Sequence, residues 1–207
     1  LVTKWKTAGD SLLGASKLAR TDSNKILING AGNVARSMVE AYATLFPNAV
    51  FTICNRTEDK AKKLIKEMSR SYNLNLGGEL KHEVPKADII ASGTMAEEPI
   101  FDGTWFRPGQ HIDLIGAYKA NMREVDDKTL LRSRIFVDSR DTTIEHIGEL
   151  KIPLAKGIIR ESNIIADFYD ENKNYVRKSN EEITLFKNGG GAHLDLMTAK
   201  YILDTCS

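Results

Sequence analysis

The sequence predicts an α/β fold organised as a doubly wound parallel sheet, on three observations. Short apolar runs rich in β-branched residues recur, stretches with helical apolar spacing separate them, and one run leads directly into the loop Gly30-Ala31-Gly32-Asn33-Val34-Ala35. Strands joined by helices pair in parallel, because each helix returns the chain across the sheet.

Leu1-Val2-Thr3-Lys4-Trp5-Lys6-Thr7 reads as a strand already under way, and a chain opening on Leu in mid-strand is expected to have further sequence upstream. A helix is predicted over residues 10–19, with Leu12, Leu13, Ala15, Ser16 and Ala19 near helical spacing and Thr7 or Asp10 as its N-terminal cap. After the turn Arg20-Thr21-Asp22-Ser23, the run Lys25-Ile26-Leu27-Ile28-Asn29 is a buried strand entering the glycine loop. Val34, Met38, Ala41 and Leu45 then draw one apolar stripe along a helix that ends near Pro47-Asn48. Val50-Phe51-Thr52-Ile53-Cys54 is a second strand, completing a βαβ unit of about 30 residues. Ala61, Leu64, Ile65 and Met68 mark another helix, and strands are predicted over residues 87–92, 111–115 and 135–138. Beyond about Leu154 the pattern weakens. Residues 170–174 form a polar turn, and a glycine run precedes a helix-like stretch with Leu194, Met197, Ala199, Ile202 and Leu203.

A chain of 207 residues at 42% hydrophobic buries one substantial core, or one core with a small appendage. Its 29 basic and 28 acidic side chains leave a net charge of +1, which supplies no general field for nucleic acid or an anionic membrane. The expected partner is a small molecule. Cys54 and Cys206 offer neither a disulfide framework nor a metal-ligand spacing, and His82, His111, His146 and His193 lack helical metal-site spacing, so no metal is expected. Without a membrane-spanning run or a signal-like start, the protein is expected in the reducing cytoplasm.

The Gly-x-Gly-x-x-Ala loop stands between a strand and a helix, the context in which this pattern binds a dinucleotide. Gly30 permits the tight turn, Gly32 lets the backbone approach a pyrophosphate, and Ala35 lets the helix pack closely on the strand. Gly30, Ala31, Gly32, Asn33 and Val34 are thereby expected on the pyrophosphate of a nicotinamide cofactor. The tip of the second strand, Asn55-Arg56-Thr57, carries no carboxylate for a ribose 2′-hydroxyl, and Arg56 presents a planar fork suited to a 2′-phosphate. NADP(H) is therefore expected over NAD(H). The competing reading is a surface arginine beside Thr57 capping the helix that starts at Glu58.

Ser92-Gly93-Thr94 ends another strand, where a cofactor lying across the sheet passes, or is an ordinary turn. Gly116 holds the same position on the next strand, near the nicotinamide. Tyr118 and Lys119 after it are suited to polarising a substrate or delivering a proton, or are simply exposed loop residues. Lys187, taken as a further cofactor-binding residue, precedes Gly189-Gly190-Gly191, a run that fits an anion nest or a hinge.

The chain resembles the ornithine cyclodeaminase and mu-crystallin family. The matching pieces include Lys6-Thr7-Ala8-Gly9-Asp10-Ser11, the Gly-Ala-Gly loop, Ala87-Asp88-Ile89-Ile90 with Ser92-Gly93-Thr94, Trp105 with Pro108-Gly109-Gln110-His111-Ile112, Arg123-Glu124-Val125-Asp126, Phe136-Val137-Asp138-Ser139-Arg140, Gly148-Glu149-Leu150 and residues 181–187. The resemblance implies a nicotinamide enzyme acting on amino acids or their cyclic imines, with a second domain for substrate binding and dimerisation built largely from an N-terminal segment absent here. Residues 10–178 are accordingly expected to form the Rossmann-type domain, and residues 1–9 and 179–207 to be remnants of, or links to, the substrate and dimerisation domain.

Two departures narrow the chemistry. Where members of the family carry an arginine for the substrate carboxylate, this chain has Lys6, a point charge without a bidentate fork. Where cyclodeaminases resemble one another in an aspartate near the nicotinamide, this chain has Tyr118, a poor base that can still donate a proton. The resemblance thus implies an NAD(P)H-dependent reductase of Δ1-pyrroline-2-carboxylate or Δ1-piperideine-2-carboxylate, a homodimer at full length. Lys6 and Tyr118 are its catalytic candidates, with Thr7 on a cofactor phosphate. Ornithine cyclodeaminase, alanine dehydrogenase and a non-catalytic NADPH-binding protein are the alternatives.

Overall fold

The computed structural model describes residues 2–170 and 174–206. Leu1 of the expected first strand and residues 171–173 of the expected polar turn lie outside the described residues. Among the described residues there are eight strands: β1 (Lys25–Asn29), β2 (Val50–Cys54), β3 (Asn73–Leu76), β4 (Ile89–Ser92), β5 (His111–Leu114), β6 (Ser133–Val137), β7 (Ile164–Ala166) and β8 (Ile183–Lys187). They form one sheet in the order β3-β2-β1-β4-β5-β8-β6-β7, and every neighbouring pair is parallel. Helices α1 (Val2–Leu18), α2 (Asn33–Leu45), α3 (Glu58–Met68), α4 (Leu80–Glu83), α5 (Asp127–Arg132), α6 (Arg140–Thr143), α7 (Gly148–Ala155) and α8 (Ala192–Cys206) accompany it.

Successive strand residues feed opposite faces of the sheet, and both faces are covered. Ile26 and Ile28 of β1 join Met38, Val39 and Tyr42 of α2 and Leu64 of α3 in one core, whereas Leu27 joins Ile112, Leu114, Val137, Leu185 and Leu150 of α7 in the other. The chain runs outward from β1 to β2 and β3, then returns to β4 on the other side of β1. That reversal opens a crevice beyond the carboxyl ends of β1 and β4, where an open α/β sheet binds its ligands.

The strand expected over residues 1–7 is instead the opening of α1. Val2, Thr3 and Thr7 suit a strand by type, but no proline interrupts the helix before Asp10, and tertiary packing of α1 outweighs these propensities and that of Gly9. Ala8, Ser11, Ala15 and Leu18 make one buried stripe along α1, which packs on α2, β5 and β8. Thr7 and Asp10, the expected caps, lie inside the helix.

Residues 183–187, read from the sequence as part of a stretch leading to another domain, form a central strand between β5 and β6. Thr184 pairs with His111 on one side and Arg134 on the other, and all five residues of β8 are buried. The helix-like stretch after the glycine run is α8. Among the described residues, no helix is long and apolar enough to cross a membrane.

Candidate functional site

The carboxyl ends of β1, β2 and β4 border a cleft of about 680 Å³. Gly30, Ala31 and Gly32 line it from the β1 loop, Asn55 and Arg56 from the tip of β2, Lys60 from α3, and Gly93 and Thr94 from the β4 loop. Cys54, Glu79 and Leu80 contribute to the adjoining wall.

Backbone geometry accounts for the glycines. Gly30 has φ +127°, a conformation that L side chains rarely adopt, and its N–H donates to the Cys54 carbonyl at 2.8 Å. The Gly93 N–H donates to the Asn29 carbonyl at 3.0 Å, so the β1 and β4 loops leave the sheet side by side. Gly32 is the N-cap of α2 and no side chain caps it, which leaves the N-terminal turn through Asn33 and Val34 suited to an anion. Ala35 is buried and seats α2 against β1.

Arg56, in the loop after β2, and Lys60, in the first turn of α3, are both exposed and line the same cleft. Lys60 is a second cation that the sequence reading passed over. Thr57 occupies the N-cap of α3, but its side chain makes no capping bond, and its carbonyl accepts from Asn55 Nδ2 at 2.8 Å. Glu79 faces the same cleft and is paired with Lys81 at 2.7 Å.

Ser92, Thr94 and Gly116 converge on Glu124, a fully buried residue not singled out as a site residue from the sequence. Glu124 Oε1 accepts from Ser92 Oγ at 2.5 Å, from the Thr94 N–H at 3.1 Å and from Thr94 Oγ1 at 2.8 Å. Its Oε2 accepts from the N–H groups of Gly116 at 2.8 Å and Ala117 at 3.2 Å. The buried Glu149 carboxylate in turn accepts from the N–H groups of Glu124 and Val125 at 2.8 and 3.1 Å. No sequence spacing announces this cluster, because its members come from three separate loops.

The remaining candidates lie away from the cleft lining. Lys187 is fully buried, and its ammonium donates to the carbonyls of Leu114 at 2.9 Å and Asn188 at 2.6 Å. Burial pulls its pKa down, opposed by Glu124, Glu149, Asp138 and Asp113. The N–H groups of Gly189, Gly190 and Gly191 all point to the Asp138 carboxylate, so the nest expected at this run is filled by the protein's own anion. Lys6 lines a separate cleft of about 460 Å³ between α1 and α8, where its ammonium donates to Asp195 at 2.5 Å. Thr7 follows it on α1. Tyr118 is 54% exposed, with Lys119 Nζ 5.3 Å from its ring centroid. Among the described residues no group of His, Cys, Asp and Glu could hold a metal ion.

Beneath the loops runs a buried layer of carboxylates. Burial pushes Asp10 up to about 9, and the charges of Asp138 and Asp113 push the same way. Burial raises Asp113 to about 7 against hydrogen bonds from Tyr42 and Ser11, and raises Glu149 to about 7 together with the charge of Glu124.

The sequence pattern of the ornithine cyclodeaminase/mu-crystallin family matches residues 1–207. The chain belongs to that family. A Delta(1)-pyrroline-2-carboxylate reductase of Paracoccus denitrificans is 50% identical over 206 residues, covering 98% of this chain and 65% of that protein. The fold superposes on the Thermococcus litoralis Delta(1)-pyrroline-2-carboxylate reductase, solved with NADH and L-proline, with a TM-score of 0.90 and 32% identity over 96% of this chain and 63% of that one. An archaeal alanine dehydrogenase dimer with bound NAD matches with a TM-score of 0.88 and 25% identity, over 97% of this chain and 64% of its own. The chain thus spans about two thirds of the length of the curated relatives it matches.

Proposed function

We propose that this protein is an NADPH-dependent reductase of cyclic imino acids, taking Δ1-pyrroline-2-carboxylate or Δ1-piperideine-2-carboxylate to proline or pipecolate. The observation that carries the reading is the cleft at the β1 and β4 reversal, in a chain half identical to a Delta(1)-pyrroline-2-carboxylate reductase. Its residues fit a dinucleotide: a positive-φ glycine turn, an uncapped helix N-terminus and two cations at the tip of β2.

The 2′-phosphate assignment rests on Arg56 and Lys60. Arg56 supplies a fork matched to phosphate oxygens and Lys60, from the first turn of α3, a point charge on the same cleft. Glu79 is the carboxylate that favours a bare ribose, and Lys81 holds it. NADP(H) is therefore preferred in this reading, although the Thermococcus relative was solved with NADH.

Bound in the cleft, the nicotinamide supplies hydride to the imine carbon. The protein's own part is to hold the substrate carboxylate and deliver a proton to the imine nitrogen. Lys6 is assigned the first task, exchanging Asp195 for substrate, and Thr7, the next residue of α1, is assigned to a cofactor phosphate. Tyr118, or a water it orders, serves the second. A phenol suits this donation better than the carboxylate work of ammonia elimination, which favours reduction over cyclodeamination. The protein acts as a homodimer in this reading. Leu196, Tyr201 and Leu203, 72%, 69% and 67% exposed on α8, support a face that is covered in the assembly.

The assay is NADPH oxidation with each imine. Ammonia release from ornithine without imine reduction would sink the proposal.

A further inference from the structure

The cofactor cleft is bordered by loops from different strands, and packing of the helices does not by itself fix the gaps between them. Asn29 at the end of β1 donates through Nδ2 to Ser92 Oγ at 3.2 Å, and Ser92 donates to Glu124. Thr94 of the β4 loop and Gly116 of the β5 loop bond to opposite oxygens of the same carboxylate. The two loops approach so closely that a Cβ at Gly116 would stand 2.0 Å from the Thr94 carbonyl oxygen and 2.6 Å from Glu124 Oε1.

We propose that Glu124 is a positioning residue whose carboxylate sets the spacing of the β1, β4 and β5 loops, and thereby aligns the nicotinamide half of the dinucleotide. The inference rests on the dinucleotide reading of the cleft. A group that only stabilised the core could satisfy one loop. Glu124 takes donors from two loops directly and a third through Ser92, and each of its oxygens receives a backbone N–H that cannot reverse its polarity. Glu149 anchors the hub by accepting the N–H groups on either side of the Glu124 to Val125 peptide step.

The chemistry makes the carboxylate irreplaceable by its nearest analogue. A glutamine has one acceptor oxygen and one NH2 group. In E124Q the NH2 must confront either the Thr94 N–H or the paired N–H groups of Gly116 and Ala117, releasing one loop. The adenine half, bound between the tip of β2 and the glycine turn, does not depend on that spacing.

The experiment measures binding of NADPH, NADH and 2′,5′-ADP, a fragment of the adenine half, to the wild type, E124Q and Gly116→Ala. The second variant pushes the same two loops apart while keeping the carboxylate. In each folded variant NADPH affinity is expected to fall on the order of tenfold or more, while 2′,5′-ADP affinity stays within about twofold of wild type. Equal weakening of both ligands assigns Glu124 a general structural role and overturns the proposal, as does wild-type NADPH binding in a folded E124Q. If E124Q does not fold, Gly116→Ala decides by the same two affinities, and if neither folds the role is structural and the proposal falls. A wild type that binds neither NADPH nor NADH overturns the dinucleotide reading itself, and this inference with it.

Discussion

The Asp138 carboxylate accepts the N–H of Gly190 at 2.6 Å, from 52 residues away in the chain. With the bonds from Gly189, Gly191 and Ser139, this makes Asp138 the anion that organises the exit from β8 into α8. D138A leaves those donors, of which Gly191 and Ser139 are buried, without this acceptor, at about 3 kcal/mol. For a domain of this size the expected drop in Tm is roughly 6 to 12 °C, with D138N losing less because its amide oxygen still accepts. A D138A variant melting with wild type would show that the glycine run is held by something else.

Arg56 and Lys60 make opposite predictions for the two cofactors. R56D removes the fork and offers a carboxylate to the ribose 2′-hydroxyl, so the NADPH to NADH affinity ratio should fall on the order of tenfold to a hundredfold. K60A should lower NADPH affinity less, without raising NADH affinity. Fluorescence titration of both cofactors tests this, and an R56D variant that keeps its NADPH preference refutes the account of the strand tip.

Asp10 gives stability a pH dependence whose sign follows from its raised pKa of about 9. Between its ordinary value of 3.8 and about 9 the folded state holds a proton that the unfolded state has released. Stability from this group is therefore complete below the lower value and is lost as pH rises through the upper one. His111, buried and pulled down to about 3, works the other way but only below its ordinary 6.5. Between pH 7 and 9 the Asp10 effect is thus isolated from it. D10N keeps an acceptor for Asn188 Nδ2, which lies 2.6 Å from Asp10 Oδ2, and should flatten the fall of Tm across that window. Parallel pH profiles for wild type and D10N would exclude Asp10 as the source.

The βαβ unit and its loop were legible because periodicity and glycine spacing there report local physics. Ile26, Ile28 and Met38 bury where their spacing says, with Val34 half-buried against them, and Gly30 takes the φ that only its lack of a side chain permits cheaply. Residues 2–7 were misread because Val2 and Thr3 are strand-like by residue type, whereas the segment continues a helix whose buried stripe begins only at Ala8. The edge strand β3, Asn73-Leu74-Asn75-Leu76, has only one half-buried apolar side chain at its centre and so gave no apolar run. Glu124 stood in a piece that matches the family, but its role was illegible for a different reason. A lone glutamate has no periodicity, and its role exists only once Ser92, Thr94 and Gly116 are brought together around it.

Lys6 and Asp195 form the pair whose replacement by substrate the proposed chemistry requires. The two side chains are 21% and 68% exposed, so their bond contributes little to stability, about 0 to 1 kcal/mol, and yields cheaply to another carboxylate. If Lys6 holds the imino acid, K6M should raise KM for the imine on the order of tenfold with NADPH affinity unchanged, since a charge-assisted hydrogen bond to substrate is lost. D195N should act in the opposite direction, lowering that KM by a few-fold because it frees the ammonium, while Tm barely moves. K6R should also lower KM, because a guanidinium grips a carboxylate through two parallel bonds where an ammonium makes one. Steady-state kinetics on the three variants separate this from a purely structural pair: a pair that only ties α1 to α8 leaves the imine KM untouched in all three.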